Sequence, residues 1–380
     1  MSFDLPEATR ELREVALAFA AERLAPHAQA WDEARHLPLE VLREAAGLGM
    51  AALYVREESG GAGLSRLDAA VVFEALSTGC PTIAAFLSIH NMVAWMIDRF
   101  GSDPQRAHWL PQLVGMDKIA SYCLTEPGSG SDAAALRTRA RRDGEHYVLD
   151  GTKQFISGAG VSDLYLTMVR TGDDTPRGIS ALLIEKDTPG VSFGVNERKM
   201  GWNAQPTRQV VFDNARVPTA ALLGNEGEGF RFAMAGLDGG RLNIAACSVG
   251  GAQAALDRAL AYVQERQAFG KPIADYQNTQ FKLADMLTEL EASRTLLWRA
   301  CSKLDDKAPD ASAFCAMAKR FATDTCHRIA DDALQLLGGY GYLADYGIEK
   351  IVRDLRVHRI LEGTNEIMRV IIARQMLGKR

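Results

Sequence analysis

The chain has no CxxC pair. Its six cysteines, at positions 80, 123, 247, 301, 315 and 326, form no ligand-spaced group with the seven histidines. A zinc site or metal hydrolase is therefore not expected, and the cysteines read as buried or partly buried free thiols in a reducing compartment. Long apolar runs are also missing. None reaches the roughly 18 residues needed to span a bilayer, so no membrane partner is expected. There is no basic stripe either: net charge is −5 and the Lys and Arg residues are scattered. This argues against nucleic acid, while leaving room for one polyanionic ligand held by a few arginines. The opening stretch MSFDLPEATRELREVALAFAAERLAP carries acidic residues early, which fits a folded amphipathic helix better than a signal or transit peptide. The expectation is a soluble protein that stays inside, cytoplasmic, or in the mitochondrial matrix if processed from a eukaryotic precursor.

What is present is ample core material. The 380 residues are 47% hydrophobic and 24% charged, enough for two or three domains. Residues 1–118 read as helical: Pro6 marks a helix start, and Leu12, Val15 with Ala16, and Phe19 recur at helical spacing. The loop EESGGAGLSRLD interrupts, and helical patterning resumes over 69–77, 82–100 and 104–113. Over 119–222 the texture becomes short runs (ASYCL, HYVLDG, DLYLTMVR, GISALLIEK, VSFGV, RQVVFDNARVP) separated by turns such as Asp143-Gly144, Asp150-Gly151 and Pro189-Gly190. These predict a small antiparallel barrel or sandwich, and the lack of intervening helices excludes a Rossmann unit. From 223 to 380 helical patterning returns. Leu242, Val249, Leu256 and Val263 fall seven apart, as do Leu283, Leu290, Leu297 and Leu304; a third run over 311–337 carries Phe314, Met317, Phe321 and Ile329. Long helices with one apolar stripe each predict an up-and-down four-helix bundle. The whole reads as an α+β multidomain chain in the order helical, β, helical, with no internal repeat.

Four segments carry candidate chemistry. YCLTEPGSGSD (122–132) runs from an apolar strand into a Gly/Ser loop. Its small residues let backbone approach a flat or phosphorylated ligand, and Thr125, Ser129 and Ser131 supply hydroxyls. It has neither a P-loop ending nor a GxSxG elbow. ERQAFGKPIADYQ (265–277) closes a helix with Arg266, whose guanidinium suits a pyrophosphate. QLLGGYGY (335–342) reads in isolation as a helix-ending turn. RILEGTNEIMR (359–369) places Glu362 between apolar Ile360-Leu361 and Gly363, a setting that disfavours the carboxylate and raises its pKa toward general-base work. Taken alone, such loops and lone charged residues are more often solvated surface.

Together these segments resemble the signatures of the acyl-CoA dehydrogenase family, and the resemblance extends along nearly the whole chain. It implies that the family's cofactor, FAD, is lined by Tyr122, Leu124, Thr125, Gly130 and Ser131, the last also touching substrate. In TKQFISGAG, Phe155, Ile156 and Ser157 match the family's second flavin-contacting strand, with Phe where most members have Trp. Arg266, Phe269, Tyr276 and Gln277, with Gln335, Gly338 and Gly339, match residues that meet FAD held mainly by another subunit, which implies a homotetramer. Thr364 and Glu366 resemble residues that reach the flavin, and Arg374 one near the substrate. Glu362 corresponds to the base that removes the proton next to the thioester while a hydride goes to flavin N5. Some branches carry that base on the helix near LDGGRLNIA; here the position is Gly240, which cannot act. Asp238, Gly239, Gly240 and Arg241 then read as substrate-contacting backbone and a helix-starting arginine.

The same resemblance implies an acyl-CoA substrate and electron-transfer flavoprotein as electron acceptor. GLSRLDAAVVFEALSTGC, SIHNMVAWMIDRFG, GWNAQPTR and VHRILEGTNEIMR look closest to the branch acting on isobutyryl-CoA in valine breakdown, with 2-methylbutyryl-CoA and butyryl-CoA next. An acyl-CoA oxidase would be much longer. A non-catalytic CoA-binding protein on the same fold would be expected to lack the base or the flavin signatures.

Overall fold

The structure is a computed structural model that describes residues 4–378; the outer limits set above at 1 and 380 lie outside the described residues. Six helices come first: α1 (Glu7–Phe19), α2 (Ala28–Ala34), α3 (Leu39–Gly47), α4 (Arg66–Gly79), α5 (Pro81–Phe100) and α6 (Asp103–Val114). A π-helical turn, Ala20–Leu24, extends α1. Local sequence fixes the starts. Ser65 and Asp68 form a capping box on α4, Ser102 and Gln105 form another on α6, and Pro81 opens α5 where its missing N–H costs nothing. In α1 the core positions are Ala16 and Phe19, whereas Val15 is half exposed.

Eight strands follow: β1 (Ala120–Cys123), β2 (Arg139–Asp143), β3 (His146–Ser157), β4 (Leu164–Arg170), β5 (Ile179–Glu185), β6 (Val191–Phe193), β7 (Thr207–Pro218) and β8 (Leu222–Leu223). They form one sheet in the order β6-β7-β3-β2-β4-β5-β8, with β1 joined to β4. Pairing is antiparallel except at β4, where β1 and one residue pair of β2 run parallel. These are the exceptions to the expected antiparallel pairing, which the other five strand pairs keep. β1 comes straight out of α6 rather than from a hairpin, so no tight turn dictates its direction. β2, with sequence RARRD, escaped sequence reading because only Ala140 is buried. β3 carries a register irregularity between Lys153 and Ile156, and Phe155 sits inside it.

The remaining chain is α7 (Gly229–Glu265), a two-residue hairpin β9 (Gln267–Ala268) and β10 (Lys271–Pro272), α8 (Gln277–Asp305), α9 (Ala311–Leu337), α10 (Ile348–His358) and α11 (Asn365–Met376). The stripe Leu242, Val249, Leu256 and Val263 is buried, as are Leu290 and Leu297. The expected bundle has three long helices, completed by two short ones. One hydrophobic core runs continuously from Ala16 and Phe19 in α1 through α4 and α5 to α7, α8, α9 and Leu355 of α10. The first and last helical segments therefore share an interior, which periodicity along the chain could not reveal. A second core joins α5 and α6 to one face of the sheet, and a third fills its other face. Among the described residues no helix is long and apolar enough to cross a membrane.

Candidate active site

The site forms where the first half of α7, at Gly239–Arg241, meets the turn between α10 and α11. Arg241 was expected to start a helix; instead α7 begins at Gly229, and Gly239 and Gly240 lie well inside it. A glycine inside a helix costs about 1 kcal/mol relative to alanine, so two in succession need a reason. A Cβ on Gly240 would stand 1.9 Å from Glu362 Oε2, and one on Gly239 would stand 2.5 Å from a terminal nitrogen of Arg66. The helix has been thinned where the glutamate carboxylate and an arginine head lie against it.

Glu362 holds a left-handed backbone conformation, φ 53°, unusual for a residue with a side chain. Its backbone is held from α7 and α9. Arg241 Nε donates to the Glu362 carbonyl at 3.3 Å, and Lys319 Nζ donates to the next carbonyl, Gly363 O, at 2.8 Å. Thr364 then caps α11, accepting from Ile367 N–H, so the turn is pinned on both sides. Glu362 Oε2 is buried and has no hydrogen-bond partner. Burial pushes its carboxyl up to about 7, against the partial opposition of Arg241 and Lys319. Nearby, the Tyr122 hydroxyl is also buried without a partner; burial first, and then the Glu362 charge, raise its pKa. These are two convergent polar atoms with nothing of the protein to bond.

The strand-and-loop candidates gather on β1 and β3. The loop carrying Thr125 is bound to β3, since Gln154 N–H donates to Thr125 O at 2.8 Å. Behind it the buried Lys153 ammonium donates to Leu124 O at 3.2 Å and to Glu126 Oε1 at 2.8 Å. Gly130 has open space where a Cβ would be, and Ser131 is exposed. Phe155 projects outward, 63% exposed, with φ 59°. Ile156 and Leu124, named above as ligand contacts, have their side chains in the cores flanking the sheet. Any contact they make falls to their backbone; in β3, alternation turns Ile156 inward beside the outward Phe155. Ser157 is half-buried, and its carbonyl accepts from Ser121 Oγ at 2.6 Å.

A second group lies elsewhere. Arg266 follows the end of α7, 26 residues beyond Gly240 on one helix, about 39 Å along its axis. There a cavity of about 370 Å³ is lined by Arg266, Gln335, Gly338 and Gly339. The Arg266 guanidinium lies 5.6 Å from the Tyr340 ring centre. Phe269 is 97% exposed, Tyr276 bonds back to Ala268 O at 2.9 Å, and Gln277 opens α8 on the surface. One copy of the chain thus does not bring this group to Glu362. Glu366 and Arg374 are both exposed on α11. Asp238 is engaged with Arg241 at 2.6 Å and with Ser312 Oγ.

Sequence reasoning passed over three residues. Arg66 is nine-tenths buried, with its guanidinium 3.7 Å from the centre of the Tyr54 ring and 4.7 Å from that of Trp95. Tyr54, whose hydroxyl accepts from Asn243 Nδ2 at 3.0 Å, has its pKa raised by burial. Lys319 is fully buried. It shares a stripe with Cys315, Ala322 and Cys326, and a charge on an otherwise apolar stripe was the available signal.

The residues fit a flavin: among the described residues, buried polar atoms without partners on Glu362 and Tyr122, an exposed aromatic on β3, and a separate glycine-lined cavity with a guanidinium suited to phosphate. Three family models cover the chain. They are the acyl-CoA dehydrogenase N-terminal domain over residues 6–117, the middle domain over 121–215 and the C-terminal domain over 227–377. Mitochondrial isobutyryl-CoA dehydrogenase of Dictyostelium discoideum is 54% identical over 376 residues, which is 99% of this chain and 90% of that protein. Among solved structures, a chain from the electron transferring flavoprotein of Acidaminococcus fermentans superposes with TM-score 0.97 at 37% identity, covering 99% of this chain and 100% of that one. Butyryl-CoA dehydrogenase from Megasphaera elsdenii gives TM-score 0.96 at 35% identity, with the same coverage.

Proposed function

Since the chain belongs to the acyl-CoA dehydrogenase family, a family of flavin-dependent oxidoreductases, we propose that it dehydrogenates isobutyryl-CoA to methacrylyl-CoA with Glu362 as the base. The observation that carries this reading is the Glu362 carboxylate. It is buried against Gly240, has one oxygen without a partner, and is raised to about 7. A base poised near neutrality combines the ionised form with useful proton affinity.

FAD, when bound, supplies the two-electron sink that takes the β-hydrogen as a hydride. Tyr122, Thr125, Ser131, Phe155, Ser157, Thr364 and Glu366 would hold it, with backbone contributions from Leu124, Gly130 and Ile156. The chain's own part is alignment and proton removal. Glu362 accepts the α-proton and becomes the carboxylic acid, while the thioester carbonyl oxygen gains negative charge. The Glu362 backbone N–H has no acceptor among the described residues and is available to donate to that oxygen. Asp238, Gly239, Gly240 and Arg241 border the acyl-CoA, with Arg374 further out. Burial of the carboxylate keeps water from competing for the proton.

The choice of isobutyryl-CoA rests on likeness to the Dictyostelium enzyme. A pocket separates isobutyryl-CoA from 2-methylbutyryl-CoA or butyryl-CoA by only about 1–3 kcal/mol. Arg266, Phe269, Tyr276, Gln277, Gln335, Gly338 and Gly339 would serve the FAD of a neighbouring copy, in a homotetramer. Their distance from Gly240 along α7 supports that division. Electron-transfer flavoprotein is the proposed acceptor, in line with the Acidaminococcus likeness.

The test is anaerobic titration of the yellow protein with the three thioesters, following loss of flavin absorbance. Isobutyryl-CoA should bleach it fastest, and Glu362→Gln should stay yellow with all three. Equal bleaching by the three removes the substrate assignment, and bleaching of the Gln variant removes the base.

A further inference from the structure

A buried lysine outside the signature segments governs the turn that carries Glu362. Lys319, on α9, is fully buried, and its ammonium makes two hydrogen bonds: to Gly363 O at 2.8 Å and to Asn365 Oδ1 at 3.0 Å. Asn365 is itself anchored, donating to Thr323 Oγ1 at 3.0 Å and to Asp324 Oδ1 at 2.9 Å. On the opposite side Arg241 reaches the carbonyl of Glu362. Two cations from two helices therefore grip two successive carbonyls of a strained turn, φ 53° at Glu362 and φ 91° at Gly363. A carbonyl in a left-handed turn has no helical or strand partner, so these contacts satisfy groups that would otherwise be buried bare.

We propose that Lys319 is a positioning residue for the reaction: it fixes the Glu362–Gly363 turn so that the carboxylate faces the Gly240 seam. This rests on the reading of Glu362 as the base. Among the described residues Lys319 makes no hydrogen bond to the carboxylate itself, so its effect passes through the turn and through space. The charged and titratable groups around the pair are few. Arg241 and the Cys247 thiol come from α7, Asp324 from α9, His358 from the end of α10 and Glu366 from α11, while Tyr122 and Tyr54 face Glu362. Burial lowers the Lys319 ammonium to about 7, and Glu362 works against that fall. The two groups thus support each other's charge, and removing one weakens the ionised form of the other.

The experiment compares Lys319→Met, Lys319→Gln and Lys319→Arg with the unaltered flavoprotein. Two readouts are used. One is stopped-flow bleaching across pH. The other is ¹³C titration of the Glu362 carboxyl in glutamate-labelled protein, its resonance assigned by absence from Glu362→Gln. The Met and Gln variants should remain yellow and bind thioester with little change in KM. Their bleaching rate should fall about 10- to 100-fold, as for a misplaced reacting group. The carboxyl midpoint should rise by about one unit for loss of a neighbouring opposite charge. Lys319→Arg should recover part of both. Unchanged rate and midpoint in the Met and Gln variants would overturn the proposal. So would failure of both to retain flavin, since Lys319 would then be serving the fold alone. A shifted carboxyl midpoint in a protein whose unaltered form no thioester bleaches would uphold the hold of Lys319 on the Glu362 turn while rejecting the proposed function and, with it, a role in that reaction.

Discussion

Gly240→Ala isolates the one contact on which the site's geometry turns. In most helices the change is welcome, gaining about 1 kcal/mol of helix propensity. Here the added Cβ would stand 1.9 Å from Glu362 Oε2, 2.7 Å from Cδ and 3.0 Å from Oε1. To restore ordinary contact at 3.4 Å the nearer oxygen must retreat by about 1.5 Å. The neighbour that must yield is a side-chain end, so the helix should hold and the carboxylate should move. A displacement of about 1 Å in a reacting group costs on the order of 100-fold in rate. The expected variant is folded and yellow, melts within a few degrees of the parent and bleaches with isobutyryl-CoA about 100-fold more slowly. Flavin absorbance, a thermal melt and stopped-flow bleaching together make the assay. Parent-like bleaching would refute the claim that the carboxylate works from the Gly240 seam. Loss of flavin would refute the claim that only the carboxylate is displaced.

The carboxyl raised to about 7 sets a direction with pH. Below 7 Glu362 is protonated and cannot accept, so the bleaching rate should climb through neutrality and level off above it; a flat profile from pH 5.5 to 8.5 would contradict this. The same shift opposes folding as pH rises from 4.5 toward 7, because the unfolded carboxyl ionises first, so Glu362→Gln should flatten that part of the stability profile in thermal melts. Lys153→Met would leave Glu126 buried without its cation behind the Leu124–Glu126 segment. A loss of about 3–5 kcal/mol in denaturant unfolding is expected, with weaker flavin retention; parent-like stability would show that the two backbone N–H donors from Arg137 and Thr138 suffice for Glu126.

Much of this architecture was legible because local patterning is a short-range property. Apolar residues at sevenfold spacing gave α7 and α8, and turn dipeptides bounded the longer strands. β2 stays hidden because three arginines surround its single buried residue, and α7 starts at Gly229 rather than at Arg241, the residue read as helix-starting. Of the pair Val15 and Ala16 expected at one place in the stripe of α1, only Ala16 is buried.

By itself, the sequence determined the helical–β–helical order and the family signatures, since both reside in contiguous residues. It also named Glu362 through the string that surrounds it. Only the tertiary structure decided why Gly240 must be bare, why Glu362 sits near neutrality, and which distant residues hold it. Arg241 lies 121 residues away from Glu362 in the chain, and Lys319 is 44 from Gly363. Burial and charge act through space, and no window along the chain spans such separations. The structure also set Arg266 and its glycine-lined cavity far from Glu362 along one helix, a separation fixed by 1.5 Å of rise per residue that residue order alone does not convey.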